Sequence, residues 1–196
     1  MDMPVDTDPR VADEALLTLF ANGDARAART LTTRLAPMVL RVAQRMLGDA
    51  AEAEDVTQEA MLRLWRQAVD WRHGEAKVST WLYRVTANLC TDRLRKRHGQ
   101  ALNDDVQPAS EATAPTALAD LQQKERLFAL DAALQDLPDR QRCAVVLRHI
   151  EGLDNAEISK VLGVGVRAVE SLIARGKRAL KAALDGRRDE LGYQDD

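Results

Sequence analysis

The sequence is poor in the residues that stiffen, cross-link or metallate small proteins. It has two cysteines, Cys90 and Cys143, far apart and without neighbours at metal-ligand spacing. Neither a zinc site nor a disulfide framework is indicated, and both read as core thiols. Its three histidines, His73, His98 and His149, are scattered. No Asp, Glu or Cys cluster accompanies them at triad or ligand spacing, which argues against an enzyme and leaves no metal or cofactor expected. No apolar run approaches the roughly twenty residues that span a bilayer. The acidic start "MDMPVDTDPR" is unlike a signal peptide, so a cytoplasmic protein is expected. Neither charge dominates: the net charge is −3, so any attraction to nucleic acid must come from local basic surface. Aromatics are scarce as well, three Trp, two Tyr and two Phe. Even so, Trp65, Trp71, Trp81 and Tyr83 crowd into one short stretch.

What remains is helix-forming. The chain is 45% hydrophobic and 30% charged, rich in straight side chains that lose little rotamer freedom in a helix, so an all-α fold is expected. Its 196 residues suffice for one ordinary domain or two small ones. Val11 to Asn22 reads as a helix stopped by "NGD"; Asp24 caps a second, and Pro37 is placed to open a third that ends at Gly48. In "DAAEAEDVTQEAMLRLWRQAV", Val56, Ala60, Met61, Leu64 and Ala68 form an apolar face, with Asp55, Gln58 and Glu59 opposite. After "DWRHGEAKVS", the stretch "STWLYRVTANLCTDRLRKR" repeats Leu82, Val85, Leu89 and Leu94 helically, with Ser79 as the candidate cap. Periodicity then vanishes from Gly99 to Thr116, the composition of a flexible linker. Extended, some eighteen residues reach about 60 Å. The expected organisation is a first helical module over 11–98, a linker over 99–120 and a second module over 121–185.

Charge is segregated along this frame. From Ser79 to Arg97, Arg84, Arg93, Arg95, Lys96 and Arg97 face only Asp92; from Arg167 to Arg188, seven cations face Glu170 and Asp185. In the second module, "DNAE" has the layout of a capping box on a short helix, "LGVGV" breaks it, and "RAVESLIARGKRALKAAL" follows. This is a helix-turn-helix. Val169, Leu172, Ile173 and Leu180 supply its inner face, leaving Arg167, Glu170, Ser171, Arg175, Lys177 and Arg178 for duplex DNA in the major groove.

Four ordered blocks, "AEDVTQEAMLRLW", "STWLYRVTANLCTDRLRKR", "LPDRQRCAVVLRHIEGLDNAEISKVLG" and the last helix, strongly resemble the extracytoplasmic-function sigma factors of the sigma-70 superfamily. The resemblance implies two small helical domains. The first would hold core RNA polymerase and the melted minus-ten promoter element; the second would read the duplex minus-35 element. It further implies that Asn88 reads a minus-ten base, that Trp71 lies in a loop receiving an extruded base, and that Arg84, Arg93, Arg95, Lys96 and Arg97 hold phosphates. Asp55, Gln58, Glu59 and Leu62 become candidates for docking on the clamp helices of the largest, β-type polymerase subunit, and an anti-sigma factor is implied as a further partner. Rings beside cations suit an opened strand, because stacking an exposed base on an aromatic returns about 1–3 kcal/mol. Trp81 and Tyr83 fit either a base platform or a core anchor. The arginine cluster fits phosphate contact or a solvated helix end. A free-standing helix-turn-helix repressor is the alternative, although it has no use for the aromatic-basic cluster. Two positions depart from the family pattern: Ser159 stands where Ala is usual, and Glu170 where a basic residue is frequent.

Overall fold

Aspartate side chains cap the starts of three of the described helices, Ala25–Leu47, Ala50–Gln67 and Asn155–Leu162. The structure, a computed structural model, describes residues 12–72, 74–101 and 118–185, without the side chains of 100–101 and 118–124. Val11, His73 and most of the expected linker lie outside these residues. Helix α1 (Asp13–Ala21) leads into α2 (Ala25–Leu47), where the Asp24 carboxylate accepts from the Arg26 and Ala27 amides. Helix α3 (Ala50–Gln67) is capped by Asp49 and runs into a 3-10 turn over Ala68–Asp70. Helix α4 (Val78–Ala101) follows. The second half contains α5 (Leu118–Gln135), α6 (Asp139–Val145) continued by a π turn over Val146–Ile150, α7 (Asn155–Leu162) and α8 (Val166–Asp185). The described residues are helices and their connections, an all-α fold.

Pro37 does not open a helix; it sits inside α2. The reason is burial. Ala27, Leu31 and Leu35 before it and Val39, Val42, Ala43 and Met46 after it lie on one continuous buried stripe, whose packing outweighs the roughly 3 kcal/mol that a mid-helix proline costs. Helix α4 likewise begins at Val78, ahead of Ser79.

Two apolar cores hold these helices. One belongs to the first module alone, with Leu16, Leu17, Leu31, Leu35, Val39, Leu64 and Leu82 contributed by α1 to α4. The other is shared between modules: Val42, Met46, Val56, Ala87 and Cys90 pack in one cluster with Leu134, Val146, Leu147, Ile158 and Val169. The two modules are therefore docked rather than merely tethered. Helix α4 is covered on two sides, which explains why Val85 and Leu89 are only half-buried while Tyr83, Ala87 and Cys90 are buried. Sequence periodicity alone shows one stripe; docking adds the second.

An arginine closes the seam between modules. Arg142 is 4% exposed and donates to the carbonyls of Leu134 (2.8 Å), Gln135 (2.6 Å), Leu137 (3.1 Å) and Met46. These acceptors lie where α5 and α2 end, and the last carbonyls of a helix have no partner within it. One guanidinium thus satisfies two helix C-termini and joins them. Beside it, Gln135 Nε2 donates to the Arg45 carbonyl (3.0 Å), Arg45 pairs with Asp131, and Gly48 turns at φ 65°. The left-handed backbone at Gly48 favours glycine there, and a β-carbon would also push the Gln135 side chain, 2.9 Å away, off its place.

Candidate nucleic-acid interface

On α4 the polar and aromatic residues separate by helical phase. Trp81, Arg84, Asn88 and Arg95 recur at intervals of three, four and seven residues, placing them on one face. Arg84, Asn88 and Arg95 are exposed and Trp81 is half-buried. Lys96 is exposed beside this stripe. Arg95 is lightly engaged, its Nη2 lying 2.8 Å from the Asp92 carboxylate of the same helix.

Trp71 joins the stripe from the loop before α4. Its ring meets Trp81 edge-on, with centroids 6.0 Å apart and planes at 78°, the arrangement favoured by the ring quadrupoles. Gln67, Asp70, Arg72 and Glu75 complete an open cleft around the two indoles. The Trp71 Nε1–H is buried and has no hydrogen-bond partner among the described residues. An indole donor without an acceptor is costly, so the cleft carries an unmet demand for an acceptor. Asn88 is exposed and makes no side-chain hydrogen bond among the described residues, so packing gives it no reason to be Asn.

Three of the residues expected at the strand have partners within the protein. Tyr83 is only 6% exposed; its hydroxyl donates to Glu151 at 2.8 Å, and burial together with that carboxylate pushes the phenol upward from its ordinary pKa. Here it is a core anchor between modules. Arg93 donates to the Glu52 carbonyl and pairs with Asp55 at 3.5 Å; Arg97 pairs with Glu52 at 2.8 Å and donates to the Leu47 carbonyl at 3.0 Å. Both tie the far half of α4 to the start of α3. Helical phase accounts for Tyr83, which shares the buried face with Ala87, Cys90 and Leu94. Nothing local in the sequence announces the arginine partners, some forty residues away.

On α3, Asp55, Gln58, Glu59 and Leu62 fall on one outward stripe, with Leu62 47% exposed among acids. A hydrogen bond from Arg63 (2.7 Å) holds the Glu59 carboxyl below its usual range. An exposed apolar side chain next to Gln58 and Glu59 suits a protein surface that offers both an apolar contact and polar partners.

In the second module, Asp154 and Glu157 form the capping box in both directions: the Glu157 amide reaches the Asp154 carboxylate at 2.7 Å, and the Asp154 amide reaches the Glu157 carboxylate at 3.2 Å. Across the turn, the Ser159 hydroxyl donates to the Val164 carbonyl at 2.6 Å. The departure from Ala at this position therefore ties the turn to α7. Helix α8 crosses α6 at Gly176, where a β-carbon would lie 2.6 Å from Val145. Val169 and Leu180 are buried and Leu172 and Ile173 half-buried, which leaves Arg167, Glu170, Arg175, Lys177 and Arg178 exposed on the outer side. Ser171 is half-buried and accepts from Arg175 at 2.7 Å. His149, near Lys177 and Arg148, is held below its usual pKa mainly by burial. Among the described residues no group of His, Cys, Asp and Glu could hold a metal ion.

Two families match this chain in the order of its two basic surfaces: Sigma-70 region 2 over residues 31–99 and Sigma-70, region 4 over residues 127–180. The chain is 35% identical over 175 residues to the ECF RNA polymerase sigma factor SigM of Mycobacterium tuberculosis, covering 88% of this chain and 85% of that protein. The chain belongs to the extracytoplasmic-function sigma factors of the sigma-70 family. Among solved structures, this sigma factor resembles CnrH in complex with the cytosolic domain of CnrY, at 26% identity and a TM-score of 0.66, over 90% of this chain and 99% of that one. It shares its fold with RpoE of Bartonella quintana, solved with the anti-sigma factor NepR, at 21% identity and a TM-score of 0.67, over 80% of this chain and 96% of that one. The family was legible in the sequence; Arg41, Arg142 and Glu151, which join the modules, stand in no local pattern that would single them out.

Proposed function

We propose that this sigma factor brings core RNA polymerase to promoters and assists strand opening, with residues 11–98 holding polymerase and the melted minus-ten element and residues 121–185 reading the duplex minus-35 element. One observation carries the reading: the region 2 match coincides with the Trp71–Trp81 cleft and its basic stripe, and the region 4 match with the helix-turn-helix and its basic outer face. A repressor needs only the second surface.

In this reading Trp71 and Trp81 receive an extruded base, Asn88 hydrogen-bonds to it, and Arg84, Arg95 and Lys96 hold the adjoining phosphates. Tyr83, Arg93 and Arg97 act from behind, fixing α4. Arg167, Glu170 and Ser171, near the start of α8, face base edges; Arg175, Lys177 and Arg178 face phosphates. The carboxylate of Glu170 suits the amino group of cytosine. The α3 stripe of Asp55, Gln58, Glu59 and Leu62 docks on the clamp helices of the polymerase. That CnrH was solved with the cytosolic domain of CnrY, and RpoE with the anti-sigma factor NepR, supports an anti-sigma factor as a partner here too. No described helix is long and apolar enough to cross a membrane, which fits work beside cytoplasmic polymerase.

Run-off transcription with core polymerase on a library of the host's promoters tests this. Defined transcripts that depend on the chain are expected. An electrophoretic shift adds the contrast: tight, specific duplex binding without polymerase, and no transcription with it, would favour the repressor.

A further inference from the structure

One anion stands on the otherwise basic outer face of α8. The helix starts where the Gly165 carbonyl accepts from the Ala168 and Val169 amides at 2.9 and 3.1 Å, and Val169 is buried, which sets the phase of the residues around it. On the opposite side Arg167, Glu170, Ala174 and Arg178 recur at intervals of three and four residues, all of them exposed. Glu170 is thus the second side chain of an outward stripe. It lies toward the N-terminal end of the helix, the end from which base edges are reached in a helix-turn-helix.

The ordinary reasons for a glutamate in a helix do not apply to it. A carboxylate gains from the helix dipole within the first turn, and the first turn of α8 holds no acidic residue. The position four residues on, where a cation would pair with Glu170 along the helix, is Ala174. Neighbouring cations are turned elsewhere: Ser171 Oγ accepts from Arg175 Nε at 3.1 Å and Nη2 at 2.7 Å, and Arg178 Nε donates to the Ala174 carbonyl at 3.4 Å. Among the described residues Glu170 has no ion pair and no side-chain hydrogen bond. An unpaired carboxylate beside a duplex repels phosphate, so it weakens binding wherever it finds no donor.

The major groove offers few donors. Cytosine presents its N4 amino group and adenine its N6 amino group, whereas guanine shows N7 and O6 and thymine O4 and a methyl group. An ionised carboxylate accepts and cannot donate. Beside adenine it also meets the N7 acceptor next to the amino group; cytosine sets no acceptor of its own there. We propose that Glu170 is a specificity-determining residue that selects cytosine at one position of the minus-35 element and rejects guanine and thymine there, while weakening binding to unrelated duplex. That the DNA is a minus-35 element rests on the sigma-factor reading; the discrimination itself rests on α8 alone.

The test is selection of duplexes from a library randomised across the minus-35 element, by holoenzyme and, in parallel at low salt, by the free full-length chain. The wild-type chain is expected to enrich cytosine about 5- to 150-fold over guanine and thymine at one position. Glu170→Gln, whose amide donates to adenine N7 and accepts from N6, should move that position toward adenine, with the other positions and the helix content by circular dichroism unchanged. Glu170→Arg should move it toward guanine. The proposal is overturned if the wild-type chain enriches cytosine nowhere, if Glu170→Gln keeps the wild-type preference at every position, or if the variants only raise retention of all sequences equally. If the free chain shows the Glu170-dependent cytosine but holoenzyme starts no transcript from the selected duplexes, the role of Glu170 stands and the sigma-factor reading fails.

Discussion

Arg142 shows how much of this fold rests on single polar residues. Its side chain meets four carbonyls at the ends of α2 and α5, and burial pushes the guanidinium below its ordinary pKa. Arg142→Met keeps an unbranched stem but abandons the acceptors, each buried acceptor costing about 1–3 kcal/mol. Urea unfolding should show a loss of at least about 3 kcal/mol, where an exposed arginine such as Arg84 changed to Met should lose under about 0.5 kcal/mol. The thiols carry a second residue-scale prediction. Burial pushes Cys90 and Cys143 to about 12 from 9.0. A raised acid keeps its proton in the folded state while the unfolded chain releases it, so stability is full below pH 9 and falls as pH rises toward 12. The expected slope is roughly 1 kcal/mol per pH unit for each thiol. Tyr83, raised for the same reason, joins above pH 10. Thermal melts from pH 8 to 11 should decline accordingly; a flat profile would contradict the buried, protonated thiols.

At the scale of elements, caps and turns were the most legible features. Asp24 and the Asp154–Glu157 box act through neighbours within three residues, which sequence displays directly. Helix α4 was read in part: Cys90 as a core thiol and the outer stripe follow from the sequence, while Tyr83, which fitted either a base platform or a core anchor, is decided by its bond to Glu151 of the second module. Pro37 misled because its local cost is visible in sequence and the compensating burial of α2 is not. The helix-turn-helix offers two tests. Ser159→Ala removes the bond across the turn to Val164 and should cost about 1 kcal/mol without changing helix content. Gly176→Ala forces a β-carbon into Val145, costing about 1–3 kcal/mol; pairing it with Val145→Ala should return part of that loss in a double-mutant cycle.

For the whole molecule, composition yielded the fold class, and the segregation of charge marked the helices, α4 and α8, that carry exposed basic residues. The relation between modules was not readable, since Arg41 and Glu151 stand 110 positions apart and neither sits in a local pattern. What the structure adds is an architecture with two jobs. The same helix, α4, presents Trp81, Arg84 and Asn88 outward and uses Tyr83, Ala87 and Cys90 to carry the second module. Promoter opening should therefore respond to changes on its outer stripe while stability responds to its inner ones.

The most direct measurement is permanganate footprinting of promoter DNA by holoenzyme carrying Trp71→Ala with Asn88→Ala. Loss of the stacking surface, at about 1–3 kcal/mol per base, should reduce strand opening by a factor of roughly 5 to 150, with affinity for core polymerase retained. Undiminished opening by that holoenzyme would contradict the claim that these side chains receive unpaired bases.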